Sequence, residues 1–270
     1  MASIPEVRAS SWQELQGLLY EGSWNEALGR FRSTLAFRGM PDAADDLRAG
    51  LVRLGGAPER LEGHLLRNFR KYASRSSPGK ISAAPASDSI WNWLAIAQHH
   101  GLPTRLLDWS YSPYVALHFA TEDIGRYNRD AVVWTLDYRT TNKLLPRSLR
   151  ALLDEEGSDA FTAEMLSRVA ATMDEFDRLA PIPFVLFFEP PSLDDRIVNQ
   201  FALFSLLSDP GAVLDTWLAD HADAARRIII PAALKWEVRD KLDQANVNER
   251  VLVPGLEGLS RWLRRYYMPR

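Results

Sequence analysis

The sequence predicts an α+β fold, and three observations predict it. Strand-like runs are scattered among helical patterns of unequal length, with no βαβ rhythm. The Gly-x-Gly-x-x-Gly turn of a doubly wound dinucleotide-binding sheet is absent. No internal repeat is found, which leaves no basis for a solenoid or propeller.

The elements follow in order. Ser11 with Glu14 three residues on is a capping box, so a helix is predicted from Trp12. Trp24, Leu28 and Phe31 at helical spacing predict a short helix over 24–31. Residues 33–39 predict a strand ending in a glycine turn, and 42–54 a helix closed by Gly55-Gly56. Pro58 opens a helix over 59–73. Residues 74–88, rich in Ser, Ala, Pro and Gly, predict a mobile loop. A helix over 89–100 stops at Gly101, and Pro103 prevents its return. Ser112-Pro113 caps and opens the next helix. Residues 131–136 predict a strand, 147–179 two helices broken at Gly157, and 183–189 a buried strand. A strand over 201–207, a helix over 212–221, a strand over 226–231, a helix over 232–245 and a last helix over 256–267 complete the chain.

Composition bounds the chemistry. At 270 residues and 46% hydrophobic the chain can bury a core as one large domain or two small ones. A net charge of −3 gives no global basic field for nucleic acid, although a local basic groove is compatible with it. With no cysteine, thiolate nucleophiles, disulfides and cysteine metal sites are excluded, and a reducing cytoplasm is the expected compartment. Met1–Ser11 lacks a signal-peptide pattern, and no apolar run reaches membrane length, so no membrane partner is expected.

Residues 98–121 hold the densest polar chemistry: His99, His100, Thr104, Arg105, Asp108, Trp109, Ser110 and Tyr111 around the Gly101-Leu102-Pro103 turn. Familiar readings fail here. Gly79-Lys80 has Ser74 and Ile81 where a phosphate loop needs Gly and Ser or Thr. There is no Gly-x-Ser-x-Gly elbow. Adjacent histidines point about 100° apart on a helix, so no metal is expected at His99-His100. Arg38 before Gly39 suits bidentate phosphate binding, against the plain reading of an arginine in a turn. For Thr104 and Ser110 the plain reading is a loop that satisfies its own backbone, for Trp109 the core, and for Arg196 and Gln200 entry to a strand.

Phe37-Arg38-Gly39, Gln98 to Ser110, Ser112-Pro113 with Ala116 to Ala120, and Arg196-x-x-x-Gln200-x-x-x-Phe204 together resemble the FRG domain family over about residues 30–265. Met40 stands where the family usually has Gln. The resemblance implies a single domain over 1–270, with an N-terminal helical lead-in at 10–32 and a helical insertion at about 145–180. Its block order is similar to that of the mono-ADP-ribosyltransferases, which implies a mixed sheet core wrapped by helices and an enzyme that uses NAD. On that likeness Arg38, Ser110, Gln200 and Glu189 are the catalytic candidates. Arg38, His99, Thr104, Arg105, Asp108, Trp109, Ser110 and Tyr111 are the candidates for holding NAD. The acceptor is expected to be a protein or nucleic acid. As a microbial toxin or anti-phage effector, such an enzyme is expected to have an antitoxin or regulatory partner. The alternatives are a non-catalytic nucleotide or nucleic-acid binding module and an NAD hydrolase, with a serine hydrolase built on Ser110 last.

Overall fold

The computed structural model describes residues 3–76, 88–192 and 194–269. Its strands are β1 (Glu6–Arg8), β2 (Trp24–Asn25), β3 (Arg30–Phe31), β4 (Leu35–Met40), β5 (Leu106–Ser110), β6 (Ala131–Asp137), β7 (Phe161–Thr162), β8 (Val185–Glu189), β9 (Ala202–Leu207) and β10 (Ala225–Ile230). The helices are α1 (Trp12–Tyr20), α2 (Gly50–Arg53), α3 (Pro58–Ser76), α4 (Ile90–His99), α5 (Pro113–Ala120), α6 (Tyr138–Asn142) and α7 (Arg147–Glu156). They continue with α8 (Ala163–Val169), α9 (Met173–Asp177), α10 (Asp195–Asn199), α11 (Leu214–Ala219), α12 (Lys235–Gln244), α13 (Glu249–Leu252) and α14 (Leu256–Tyr266). The fold is α+β, as the sequence predicts.

One mixed sheet runs β1-β10-β6-β4-β5-β9-β8-β7. Its two outermost pairs are parallel and the inner ones antiparallel. Side chains alternate between its faces. On one face Phe37, Val133 and Ile228 pack with α1, α5 and α12. On the same face Leu106, Leu206 and Phe188 pack with α4, α7 and α8. These are two separate helical clusters, and the sheet surface between them is where the site lies. The opposite face carries one continuous core, from Ala36 and Trp134 through Trp109 to Phe187, covered by α11 and the chain around Leu47.

Local chemistry explains where the expected elements end or change. Ser11, Ser89 and Ser112 each accept a backbone N–H at the start of α1, α4 and α5. Gly101, at φ +80°, ends α4, with Gly101 N–H bonded to Gln98 O and Leu102 N–H to Ala97 O. That turn leads into a strand, β5, that the sequence pattern does not announce. The helix expected over 24–31 is instead the β2–β3 hairpin, closed through Gly29 at φ +57°, with the Trp24 and Phe31 rings edge to face at 5.2 Å. Leu28 and Phe31 are exposed, so no core was available to stabilise a helix there. The lead-in at 10–32 is thus half helix and half hairpin.

Over 42–54 only α2 is helical. Asp42 turns back to the Ala44 N–H and pairs with Arg129, and Asp45 pairs with Arg126, which hold the segment as a loop. The insertion at 145–180 is not wholly helical: β7 lies within it and pairs with β8, so it completes the sheet. Helix α3 runs through Ser76, past the expected end at 73, and most of the loop expected over 74–88 lies outside the described residues. No helix of the described residues is long and apolar enough to cross a membrane.

Two contacts hold the centre together. A Cβ at Gly39 would lie 1.7 Å from the Ala116 carbonyl oxygen, so α5 touches the backbone of β4 directly. On α5 itself, His118 is fully buried, and its Nδ1 lies 3.0 Å from Arg239 Nη1. A guanidinium only donates, so Nδ1 accepts and the ring is neutral. Burial accordingly lowers the His118 pKa; Glu122 opposes this, and the positive charge of Arg239 adds to it, leaving the net direction downward.

Gly39→Ala is expected to destabilise the protein by about 1–3 kcal/mol or more, measured by chemical denaturation, because the carbonyl of α5 has to move. His118 sets a pH slope. The unfolded chain binds the proton more readily than the folded one, so this contribution to stability is complete above about pH 6.5 and lost as pH falls below it. His118→Gln is expected to flatten the fall in unfolding free energy between about pH 7 and 5, relative to the parent protein.

Candidate functional site

The sheet parts between β4 and β5. These strands pair only at Phe37 and Ser110. Beyond that pair, β4 follows β6 as far as Met40, and β5 follows β9 back to Leu106. A cleft of about 830 Å³ fills the parting. Its lining draws on both faces of the sheet, with Met40 and Leu107 from one and Asp108 and Ser110 from the other. The end of α4 and the side of α5 form its upper edges through His99, Ala116 and Phe119.

Arg38 spans the parting. Its Nη1 donates to the main-chain carbonyl of Asp108 at 2.5 Å, and its buried Nε has no partner among the described residues. Burial lowers its pKa, the charge of Asp108 opposes this and Arg53 adds to it. A guanidinium nonetheless stays charged at neutral pH. The exposed Asp108 carboxylate accepts from Gln98 Nε2 at 2.9 Å. Gln98 is itself oriented by the Thr104 hydroxyl, which donates to its Oε1 at 2.6 Å. The Asp108 acid is therefore held from behind by α4 while remaining open to solvent.

Two further side chains face each other near the rim. His99 Nε2 lies 2.6 Å from Asp194 Oδ2. Asp194 also accepts the Arg196 and Ile197 N–H groups at the start of α10. Burial raises its pKa, but the Ile197 N–H, His99 and the Arg196 N–H outweigh this, so its net pKa is lowered. Ser110 Oγ donates to the Gln200 carbonyl at 2.7 Å and accepts the Ser112 N–H at 2.9 Å. The Gln200 side chain lines the cleft, yet its amide donates to the Leu252 carbonyl of α13 at 2.8 Å.

The charge of the cleft is positive. Arg38, Arg48, Arg53 and Arg196 line it against two carboxylates, Asp108 and Glu122. Arg48 pairs with Asp46 at 3.0 Å, whereas Arg196 has no side-chain partner among the described residues. Such a wall suits a phosphate-bearing ligand. No group of three metal-ligating side chains occurs among the described residues.

Arg38, His99, Asp108, Trp109, Ser110 and Gln200 thus come together at one cleft. The remaining candidates do not, and each has a physical reason. Arg105 is buried and turned away, its guanidinium boxed by Glu62 at 2.8 Å and Asp177 at 2.5 Å. It ties α3 and α9 to β5 and has no free donor face for a ligand. Thr104 is buried and committed to Gln98 and the Leu106 N–H. Tyr111 and Glu189 meet in a separate recess, hydroxyl to carboxylate at 2.9 Å. Burial and then the Glu189 charge raise the Tyr111 pKa. Trp109 borders the cleft, but it is only 3% exposed and its indole N–H donates to Ser205 Oγ, so it is core and offers no stacking surface.

Asp194, Arg48 and Arg53 enter the site without a signal in the residue pattern. Gln98 adjoins the His pair, but only the folded turn brings it back to Asp108.

Residues 33–129 match the family model of the FRG domain. The match spans β4 to the segment after α5, and so covers Arg38, His99, Asp108 and Ser110 but not Arg196, Gln200 or Glu189. No curated protein and no solved structure matches the chain.

Arg105→Ala leaves the buried Glu62 carboxylate and the partly buried Asp177 carboxylate without their cation. It is expected to cost about 3–5 kcal/mol in unfolding free energy by denaturant titration. Replacing the solvent-exposed Arg178 by Ala is expected to change stability by less than about 0.5 kcal/mol.

Proposed function

We propose, from the FRG domain that this chain carries and the cleft that domain half encloses, that the protein is an ADP-ribosyltransferase-like enzyme using NAD. The observation that carries the reading is the convergence of Arg38, Ser110 and Gln200, from three separate parts of the chain, on one cationic cleft. A volume of about 830 Å³ suits a dinucleotide-sized ligand.

The chemistry divides among the residues as follows. Breaking the nicotinamide–ribose bond develops positive charge on the sugar, so the cleft needs cations for the pyrophosphate and an acid beside the ribose. Arg38, with its unpartnered Nε–H, and Arg196 supply the first. Asp108 supplies the second, in place of Gln200 and Glu189. The Gln200 amide is committed to Leu252, and Glu189 opens into a different recess. Gln98 keeps the Asp108 carboxylate oriented without neutralising it. His99, fixed by Asp194, stands at the same wall to take the proton of an acceptor.

Release of nicotinamide from NAD, followed by chromatography, tests the reading. Asp108→Asn and Arg38→Ala are each expected to lower it about 100-fold or more, and Glu189→Gln to leave it within about threefold. Absence of nicotinamide release from the folded parent protein, together with no shift of its melting temperature by NAD, would overturn it. The carboxamide at Gln200 favours a second reading, a nucleotide-binding module without turnover. That reading predicts NAD binding by calorimetry with no nicotinamide released, and binding that survives Asp108→Asn.

A further inference from the structure

Two recesses lie outside the cleft and take no part in the chemistry above. The first, of about 470 Å³, is aromatic and is lined by Phe31, Tyr111, Tyr138, Phe201 and Glu189. The second, of about 620 Å³, is basic and is lined by Arg139, Lys143, Arg147 and Arg150. Ser158 and Asp159 border both, so the two adjoin each other. The aromatic recess shares no lining residue with the cleft but neighbours it along two chain segments. Tyr111 follows Ser110, Phe201 follows Gln200, and the Tyr111 N–H donates to the Phe201 carbonyl at 3.0 Å.

The basic recess carries more cations than acids. Arg139 is taken up by Asp159 at 2.5 Å, but Lys143, Arg147 and Arg150 have no side-chain partner among the described residues. The one lining acid left is Asp154. Arg147 is also the first residue of α7, where the helix field disfavours a cation, and Pro146 provides no side-chain cap. An anion lying across these three side chains would relieve both strains.

The aromatic recess has the complementary character. Phe31 is 60% exposed, and Phe201 is 58% exposed on a residue with φ +49°. Glu189 beside them repels phosphate but accepts from an exocyclic amine. A positive groove that follows the backbone, next to exposed rings that stack with bases, is the arrangement that suits single strands. A duplex keeps its bases stacked internally and has no use for the rings. An acidic peptide would use the cations and leave the rings bare.

We propose that these adjoining recesses bind a single-stranded nucleic acid, with its phosphates on Lys143, Arg147 and Arg150 and its bases against Phe31 and Phe201. Binding stands apart from the transferase reading. Where the two combine, the strand is the acceptor. The C1′–nitrogen bond of NAD then breaks with its electron pair going to nicotinamide, a nucleotide oxygen or nitrogen bonds to C1′, and that atom's proton passes to His99.

Fluorescence anisotropy with labelled oligothymidylate and oligouridylate strands about twelve nucleotides long, beside a duplex of the same length, tests this. The two single strands distinguish DNA from RNA. At least one is expected to bind more tightly than the duplex, with an affinity that falls as salt rises. Arg147→Glu with Arg150→Glu is expected to weaken binding at least about tenfold and to reduce the salt slope by about 1.4. Glutamate at the first helical position is favoured, so this variant keeps its fold. Phe31→Ser is expected to weaken binding about fivefold or more at unchanged salt slope. No binding of either strand, or binding that the double variant leaves unchanged, would overturn the inference. Nicotinamide release, assayed on the same proteins without oligonucleotide, reports separately on the cleft.

Discussion

The structure depends on one incomplete strand pairing. β4 and β5 share a single residue pair and then separate, and the Arg38 guanidinium crosses the gap to the Asp108 carbonyl. Without that bond the Asp108 carbonyl would face an opening in the sheet with no ladder partner. With it, a cation is fixed at the mouth of the parting and its Nε is left over. The same parting separates the two helical clusters on that face, so cleft, charge and core layout share one cause. Gly39 completes it by letting α5 press on the backbone of β4 beside the gap.

The cations of the protein fall into two groups. Arg105 and Arg265 are buried and each held by two carboxylates, and buried Arg239 pairs with Glu249 alone; all three act as internal ties. Burial works against the ionised form of Glu249, yet Arg265 and Arg239 hold its pKa down at about 2. Arg196, Lys143, Arg147 and Arg150, all exposed, are left without such partners among the described residues. A net charge of −3 hides this division, because composition counts paired and unpaired arginines alike.

Much of the framework is legible in the sequence for local reasons. Ser11, Ser112-Pro113 and Gly101 mark helix ends through bonds within a few residues. The strand ending at Arg38-Gly39 shows in its alternation. β5 does not, since Leu106-Leu107-Asp108-Trp109-Ser110 lacks β-branched residues and becomes a strand by pairing with β9 far along the chain. The 24–31 segment shows the converse: its helical spacing is real, but no core meets it. Within the site, Arg38 and Ser110 stand out by residue type and position. Arg105 stands out equally and is structural, because its partners Glu62 and Asp177 are 43 and 72 residues away. The fate of the Gln200 amide likewise rests on a carbonyl 52 residues distant.

That last bond reaches beyond Gln200 itself. Asn199 and Gln200 both donate to main-chain carbonyls of α13, at Val251 and Leu252. α13 is locked to α14 at Gly258, where a Cβ would lie 1.9 Å from the Val253 carbonyl oxygen. The rim of the cleft is therefore steered from the C-terminal helical pair, much as a rudder is set by its tiller. A shift in the seating of those helices would be transmitted, through two side-chain amide hydrogen bonds, to the residue whose carbonyl accepts from Ser110.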